Sequence, residues 1–88
     1  MNTSPYHVVE HPFVTEKTMA QMEKDNKLEF VVRRNASKSA IKAAIEELFQ
    51  ARVIAVNTKI ATDGRKHAIV RFAPDVKAEE IGTRIGIF

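Results

Sequence analysis

Cysteine and tryptophan are absent from this chain of 88 residues, and glycine and proline occur only three times each. Without cysteine, neither a disulfide nor a thiolate metal site can support the fold, which fits a reducing cytosol. The longest apolar run is only a few residues, too short for a membrane span. The first residues, MNTSPYHVVEH, lack the basic and apolar regions of a signal peptide. We therefore expect a soluble, intracellular chain with one small domain over residues 1–88.

Positive charge is concentrated in the middle of the chain. The whole sequence contains 14 Lys and Arg residues against 11 Asp and Glu, a net charge of +3. Residues 27–72 alone contain ten basic and four acidic residues, so this segment carries +6 and the two flanks together carry −3. A basic centre between acidic ends fits a protein with two surfaces for different partners, and ordinary solvated charge gives the same pattern.

Three stretches alternate between apolar and polar residues with the period of a half-buried strand. They are KLEFVVRR, RVIAVNTKIAT and KHAIVRF, and in each the even-numbered positions are mostly apolar. The odd-numbered positions form a largely polar face, with Val31 and Ile69 as apolar exceptions. The alternation predicts a sheet with one buried face, and the two exceptions predict that something covers part of the other.

The same alternation predicts the turn between the last two stretches. Residues directly opposite each other in an antiparallel pair lie on the same face, so even positions must pair with even positions. A two-residue Asp63-Gly64 turn would mix the faces, whereas a three-residue loop over residues 62–64 keeps them apart. The longer loop also puts Gly64 where a left-handed residue is needed, with Arg65 and Lys66 at the tip. The pairs it predicts are Ile54–Phe72, Val56–Val70 and Thr58–Ala68.

Helical spacing is found between and around these strands. SKSAIKAAIEELF has an apolar stripe and begins with Ser37 as N-cap, and VTEKTMAQMEK predicts a shorter helix capped by Thr15. Pro74-Asp75 opens a last short helix, and YHVVE has the composition of an extra edge strand. The order helix-strand-helix-strand-strand-helix predicts an α+β fold. We expect a small two- or three-layer sandwich with an antiparallel sheet, related to the ferredoxin-like plait.

No catalytic residue and no metal or cofactor site is predicted. His7-Val8-Val9-Glu10-His11 matches the H-x-x-E-H spacing of one class of zinc peptidase, a mechanism that requires both histidines on one helical face. The valines and the following Pro12 disfavour a helix, and a strand would hold His7 and His11 about 13 Å apart. Ser37 and Ser39 are explained as residues of a helix start. We therefore expect a protein that is not an enzyme.

The basic residues give the stronger functional signal. Two arginines end the first strand, two lysines lie one turn apart on the next helix, and other cations lie on the final hairpin and its polar face. Phosphates of A-form RNA are spread in space and read mainly by shape, which suits such a distribution. Asn57 adds a group for a ribose hydroxyl, and the lack of clustered aromatics disfavours base stacking. Taken singly, each charge is equally well explained as solvated. The candidates are Arg33, Arg34, Lys38, Lys42, Asn57, Lys59, Arg65, Lys66, His67 and Arg71.

Five strings, taken in order, resemble the ribosomal protein L23 family. They are PFVTEK, RNASKSAIKAAIEELF, VIAVNTKI, GRKHAIVRFAPD and IGTRIGI, and the resemblance runs from about Val9 to Phe88. Lys38, Ile41 and Lys42 match a Lys-x-x-Ile-Lys helix of the family, and Asn57-Thr58 match its Val-Asn-Thr strand. In the final strand, His67 stands where a second basic residue is more usual. Thr58 thereby joins the candidate RNA contacts.

The resemblance implies partners that composition alone does not reveal. These are large-subunit ribosomal RNA, a neighbouring small helical ribosomal protein, and factors that meet emerging chains at the polypeptide exit tunnel of the cytoplasmic ribosome. The factors are the signal recognition particle, the translocation channel and nascent-chain chaperones. Glu16 matches the glutamate of the family's Thr/Ser-Glu-Lys motif, which contributes to factor docking. Glu23, seven residues further along, is expected on the same exposed face.

One segment departs from the bacterial pattern of the family. Bacterial members carry a long basic extension between the last two strands that reaches into the tunnel, whereas this chain has only TDGRK. The short turn and the ending APD…IGI resemble the archaeal and eukaryotic branch, and the lack of a long basic N-terminal extension favours an archaeal-type member. The rival hypothesis is a protein-interaction module outside the ribosome that pairs a partner with its exposed sheet edge.

Overall fold

A computed structural model describes residues 5–85 of the chain. The predicted element order is confirmed, preceded by one short helix and the extra edge strand, which begins at Val9 rather than at Tyr6. The last letters of the string IGTRIGI lie outside the described residues. The elements are α1 (Pro5–Val8), β1 (Val9–Pro12), α2 (Glu16–Asp25), β2 (Lys27–Val32), α3 (Lys38–Phe49), β3 (Val53–Ile60), β4 (Lys66–Phe72) and α4 (Ala78–Arg84).

The four strands form one antiparallel sheet in the order β1-β2-β4-β3. Because β4 lies between β2 and β3, helix α3 crosses over it to connect two strands that are not neighbours. This β2–α3–β3 unit with a strand inserted is the split βαβ arrangement of the ferredoxin-like plait, which confirms the predicted relationship. The free edges of the sheet are β1 and β3.

The apolar core lies between the helices and one face of the sheet. The even-numbered side chains of β2 and β4 are buried there, and we call this side the inner face and the odd-numbered side the outer face. Residues from α2, α3 and α4 join the same apolar cluster, so the sandwich has two layers. Phe30 stacks on Phe49 with ring centroids 5.8 Å apart. The largest fully buried inner-face and helix side chains are Met22, Phe30, Val32, Ile41, Ile45, Val70, Phe72 and Ile81.

The helix starts follow the predicted caps. The Thr15 hydroxyl accepts a hydrogen bond from the Thr18 backbone N–H, and the Thr18 hydroxyl accepts one from the Thr15 N–H, which closes a capping box. The Ser37 hydroxyl accepts from the Ala40 N–H at the start of α3. Each cap satisfies a backbone donor that a helix start would otherwise leave unpaired.

Helix α4 begins later than predicted because Asn26 fixes its start. Asn26 ends α2 in the left-handed region, at φ 57°. Its Nδ2 donates to the carbonyl oxygens of Phe72, Ala73 and Val76, and its Oδ1 accepts from the Ala78 N–H. One amide thus joins three segments, and the chain makes a turn after Pro74 before the helix forms at Ala78.

The β3–β4 hairpin has the predicted three-residue loop and one unpredicted bulge. The Gly64 N–H donates to the Ala61 carbonyl, and Gly64 has a φ of 82° in the left-handed region. The predicted pairs Val56–Val70 and Thr58–Ala68 are confirmed. The pair Ile54–Phe72 is wrong, because a bulge between Val53 and Ala55 places Val53 opposite Phe72 and leaves Ile54 52% exposed.

Among residues 5–85, none of the helices has both the length and the apolar character that crossing a bilayer requires.

Candidate nucleic-acid interface

The sheet register brings three predicted RNA contacts onto the outer face. Asn57 and Lys59 are odd-numbered residues of β3, opposite Ile69 and His67 of β4. Arg71 is also odd-numbered in β4, and the side chains of Asn57, Lys59 and Arg71 are all exposed. Lys59 lies opposite His67, and Arg71 is four positions further along β4. Lys59 and Arg71 are therefore about 13 Å apart along the strand direction. This is a dispersed set of charges rather than one tight cluster.

Arg65 extends the outer face at the end of the hairpin. Its side chain is exposed, and its Nη1 lies 3.2 Å from Nε2 of His11 on β1. The Asp63 Oδ1 accepts a 2.8 Å hydrogen bond from the Arg65 backbone N–H, which lowers the pKa of the Asp63 carboxyl. The loop is therefore held by its own aspartate while the Arg65 guanidinium remains accessible. His7 belongs to α1 and His11 to β1, so the two histidines do not share a helical face.

A second basic group surrounds the β2–α3 connection. Arg33 and Arg34 follow β2, and Lys38 opens α3 with Lys42 one turn later, and all four side chains are exposed. The Arg34 Nη1 donates to the Gly64 carbonyl at 3.3 Å, which brings this connection next to the hairpin loop. The two basic groups therefore meet at one end of the sheet.

Lys66 does not lie at an exposed hairpin tip as predicted. It is even-numbered and faces the inner side, where its Nζ donates to the Ala36 carbonyl at 2.6 Å and to the Arg34 carbonyl at 3.4 Å. Backbone carbonyls of the β2–α3 connection already occupy the ammonium group. Thr58 also departs from the predicted interface, because it lies opposite the fully buried Ala68 and is itself half-buried.

His67 lies on the outer face, as the alternation predicted, but its side chain is fully buried. Its Nδ1 lies 2.7 Å from Oε2 of Glu29, and its Nε2 lies 3.2 Å from Oδ2 of Asp63. The Phe13 ring meets the imidazole edge-on with centroids 4.6 Å apart. Both nitrogens can donate to these carboxylates only if the ring carries two protons. The alternation could not show this, because it predicts on which face of the sheet a side chain lies and not whether another segment covers that face.

Most of the candidate cations are free of carboxylates. Among the described residues, ion-pair distances are found for two arginine or lysine side chains: Lys59 lies 3.9 Å from Glu29, and Arg52 lies 3.8 Å from Asp75. Lys59 is 47% exposed at its side chain and shares Glu29 with His67. The arginines of the outer face and of the β2–α3 connection therefore remain available to phosphate.

The predicted docking residues lie on the other layer of the protein. Glu16 and Glu23 are exposed on α2, whose Thr18 and Met22 are buried beneath them. Met19 of the same helix is half-buried. Glu16 and Glu23 of α2 and the cations of the outer face thus belong to different layers.

Three residues that the sequence reasoning passed over contribute to the outer face. Lys27 pairs with Arg71 and adds a half-buried cation to its edge. Phe13 and Glu29 pair through the Phe13 N–H and the Glu29 carbonyl, 2.9 Å apart, so β1 hydrogen bonding continues to Phe13. The available signal was Val31, because an apolar residue on a polar face requires a cover. Phe13, directly after β1, was a nearby apolar residue of the sequence that could provide one.

Known proteins similar to this chain are consistent with a single family. The sequence profile of the family Ribosomal protein L23 matches residues 7–79. The chain is 53% identical over 77 residues to the large ribosomal subunit protein uL23 of Picrophilus torridus, covering 88% of this chain and 93% of that protein. It is 45% identical over 83 residues to uL23 of Haloarcula marismortui, covering 94% and 98%. Both the match and its extent show that this chain belongs to the ribosomal protein L23 family.

Proposed function

We propose that this protein is a structural constituent of the large ribosomal subunit and binds large-subunit ribosomal RNA near the polypeptide exit tunnel. Its place would be the cytoplasmic ribosome, with a neighbouring small helical ribosomal protein beside it. Its relatives are large ribosomal subunit proteins, which supports the assignment to that subunit, and the resemblance of the sequence motifs supports a place near the tunnel exit. The protein is not proposed to catalyse a reaction.

The observation that carries this proposal is the set of unpaired cations on one end and one face of the sheet. Arg65 and Arg71 of the outer face and Arg33 and Arg34 of the β2–α3 connection are exposed and lack carboxylate partners among the described residues. A guanidinium group can make two parallel hydrogen bonds to a phosphate, and dispersed cations follow the spread phosphates of folded RNA. Lys38, Lys42, Asn57 and Lys59 complete the proposed interface. We leave out Lys66 and His67, because their side chains are bonded to other parts of the protein. We also leave out Thr58, which is half-buried opposite Ala68.

The hairpin is too short for the tunnel-lining role of bacterial relatives. Its loop comprises residues 62–64. The Ala61 N–H donates to the Arg65 carbonyl and the Gly64 N–H donates to the Ala61 carbonyl, which closes the backbone of the loop. Such a tight turn projects one exposed arginine beyond the sheet instead of a long basic extension. In our proposal the hairpin therefore binds RNA through its one exposed arginine and does not enter the tunnel.

Cosedimentation with ribosomes tests the proposed assembly. An epitope-tagged chain, expressed in an archaeal host, should migrate with the large subunit in a sucrose gradient at high salt. Migration at the top of the gradient would favour the rival, a protein-interaction module that pairs a partner along the free β3 edge. A tagged chain with Arg33, Arg34, Arg65 and Arg71 changed to glutamine serves as the comparison, and we expect it to leave the large subunit at lower salt.

Docking of targeting factors and chaperones is proposed for α2. Glu16 and Glu23 are seven residues apart on the exposed side of this helix, so a basic partner could contact both. The change Glu16→Lys should reduce recruitment of the signal recognition particle to ribosomes that have incorporated the variant. Glu47→Lys, an equal charge reversal on α3, is the matched control. Equal recruitment by both variants and the parent would remove α2 from the docking surface.

A further inference from the structure

A groove of about 470 Å³ opens on the outer face between the start of the β1–α2 connection and the hairpin. Phe13 forms one wall and residues 60–63 form the other, while Glu29 and His67 lie at the bottom with side chains at most 4% exposed. Lys59 also lines it. We call this feature the Phe13–Lys59 groove. The fold itself does not require an open space here, since the apolar core lies on the opposite face.

The bottom of the groove presents an unused hydrogen-bond acceptor. Glu29 Oε2 is bonded to His67 Nδ1 and lies 3.9 Å from Lys59 Nζ, whereas Oε1 has no donor among the described residues. Within that part of the chain, no fully enclosed side-chain oxygen or nitrogen lacks a partner. Oε1 is therefore not sealed inside the protein and must face the groove. A ligand with an N–H group would satisfy it.

We propose that the Phe13–Lys59 groove receives one unstacked nucleotide of the bound RNA, with its base toward Glu29 and its phosphate near Lys59 and Arg65. This inference rests on the proposed RNA-binding function. Glu29 Oε1 accepts from an exocyclic amino group, Phe13 contacts the base, and the exposed cations hold the backbone. Cytosine fits better than uracil, because uracil presents the O4 acceptor to the carboxylate where cytosine presents the N4 amino donor.

The charged groups that line the groove are Lys59, Glu29 and Asp63, and the Asp63 carboxylate is already engaged. Its Oδ1 accepts from the Arg65 backbone N–H, and its Oδ2 lies 3.2 Å from His67 Nε2. A lysine or arginine entering to pair with Glu29 would approach Lys59, whose ammonium already lies 3.9 Å from Glu29 Oε2 and repels a second cation. A nucleotide carries its negative charge at the backbone and its amino donors on the base, so its phosphate meets Lys59 and its base meets Glu29 Oε1.

Binding to matched RNA hairpins tests the proposal. The probes are three versions of one stem-loop that differ in having a bulged cytidine, a bulged uridine or no bulge. The bulged cytidine should bind the full chain about tenfold more tightly than the bulged uridine, as one hydrogen bond to a charged acceptor implies. Equal affinity for all three stems would overturn the nucleotide groove and leave the proposed RNA-binding function intact. Failure to bind any of the stems would count against both.

Two variants separate base recognition from folding. Glu29→Gln should remove the tenfold preference for cytidine, because the amide can donate to uracil O4. Phe13→Ala should weaken the bulged-cytidine complex by about tenfold through lost stacking, with binding of the plain stem unchanged. Val14→Ala, a neighbouring exposed apolar residue outside the groove, is the matched control and should change neither. Retention of the full preference in Glu29→Gln would overturn the assignment of Oε1.

Nuclear magnetic resonance on the unmodified protein keeps the test independent of variant folding. Titration of the ¹⁵N-labelled chain with cytidine 5′-monophosphate should shift the backbone amides of Phe13, Lys59 and His67 more than uridine 5′-monophosphate does. Absence of shifts with either nucleotide would overturn the proposal. Shifts at these amides with an arginine-containing tripeptide, and not with nucleotides, would overturn it in favour of a protein contact.

Discussion

The two faces of the sheet differ in the type and burial of their side chains. On the inner face, alternate side chains of β2 and β4 are apolar and nearly all buried against the helices. On the outer face, the same two strands carry both a buried hydrogen-bonded pair, Glu29 with His67, and exposed cations such as Arg71. Apolar packing accepts many sequences, whereas a buried polar pair needs each partner in place. The inner face therefore stabilises the fold by apolar burial, and the outer face presents a specific arrangement of polar and charged groups.

Neighbouring charged residues of the hairpin show the same division. Arg65 and Lys66 are adjacent and both basic, yet Arg65 is exposed while the Lys66 ammonium donates to two backbone carbonyls. Residue type alone does not separate a charge that binds a partner from one that holds the fold. For Arg65 and Lys66 the parity of the position does, because it decides which face of the sheet the side chain joins.

The largest difference between the faces should appear on deletion of a core side chain. Phe30→Ala on the inner face removes a fully buried ring stacked on Phe49, and we expect a loss of about 3–5 kcal/mol in the free energy of unfolding. Arg71→Ala on the outer face should change it by no more than about 0.5 kcal/mol. Urea unfolding followed by circular dichroism measures both, and similar losses for the two variants would contradict the distinction.

Within the outer face, His67 should be the most sensitive position. His67→Leu leaves the Glu29 carboxylate buried without its 2.7 Å partner, and we expect a loss of about 3 kcal/mol in the free energy of unfolding. The double variant Glu29→Met and His67→Leu replaces both polar partners by apolar groups and should recover a large part of that loss. If the double variant were less stable than His67→Leu alone, the buried carboxylate left without its partner would not explain the sensitivity.

Lys66 and Arg65 should separate stability from RNA binding. Lys66→Met removes charge-assisted hydrogen bonds to backbone carbonyls, so we expect about 1–2 kcal/mol of destabilisation and unchanged affinity of the folded protein for RNA. Arg65→Met should leave the free energy of unfolding within about 0.5 kcal/mol and lower the salt dependence of RNA binding by about one phosphate contact. If Lys66→Met instead weakened RNA binding and Arg65→Met destabilised the protein, the face of the sheet on which each residue lies would not explain its role.

The smallest effect concerns the hairpin loop at acid pH. The hydrogen bond from the Arg65 backbone N–H lowers the pKa of Asp63 in the folded protein. The folded state therefore favours the ionised carboxyl, so its contribution is complete above about pH 4 and is lost as the pH falls through the lowered pKa. The stability of the parent relative to Asp63→Asn should decline only below about pH 4. A difference that stays constant from pH 7 to pH 2.5 would contradict this.

Much of the fold follows from local patterns in the sequence, and the exceptions have physical causes. The helix caps at Thr15 and Ser37 and the loop at Gly64 are local, and each was predicted from short motifs. The bulge that leaves Ile54 exposed and the three-segment hydrogen bonding of Asn26 depend on contacts between residues far apart in the chain. Contacts between residues far apart in the chain leave no periodic pattern in the sequence.

The candidate interface was predicted less completely than the fold. Alternation assigned Lys59, Arg71 and Asn57 to the outer face, where the structure also places them. It also assigned His67 to this face, but it could not show that the Phe13 ring, which follows edge strand β1, packs against the buried imidazole. A polar position on a strand is exposed only if no other element covers it, and that requires the tertiary structure.

The central claim is that the free cations of the outer face bind RNA phosphates, and the salt dependence of binding tests it most directly. For about six neutralised phosphates, log affinity for a large-subunit RNA fragment should fall with log salt at a slope of roughly −4 to −5. Changing Lys59, Arg65 and Arg71 to glutamine should make this slope shallower by about 2–3. The same loss of charge at Lys17, Lys24 and Lys77, exposed residues outside the proposed interface, should leave it nearly unchanged. Equal slopes for the two triple variants would contradict the claim.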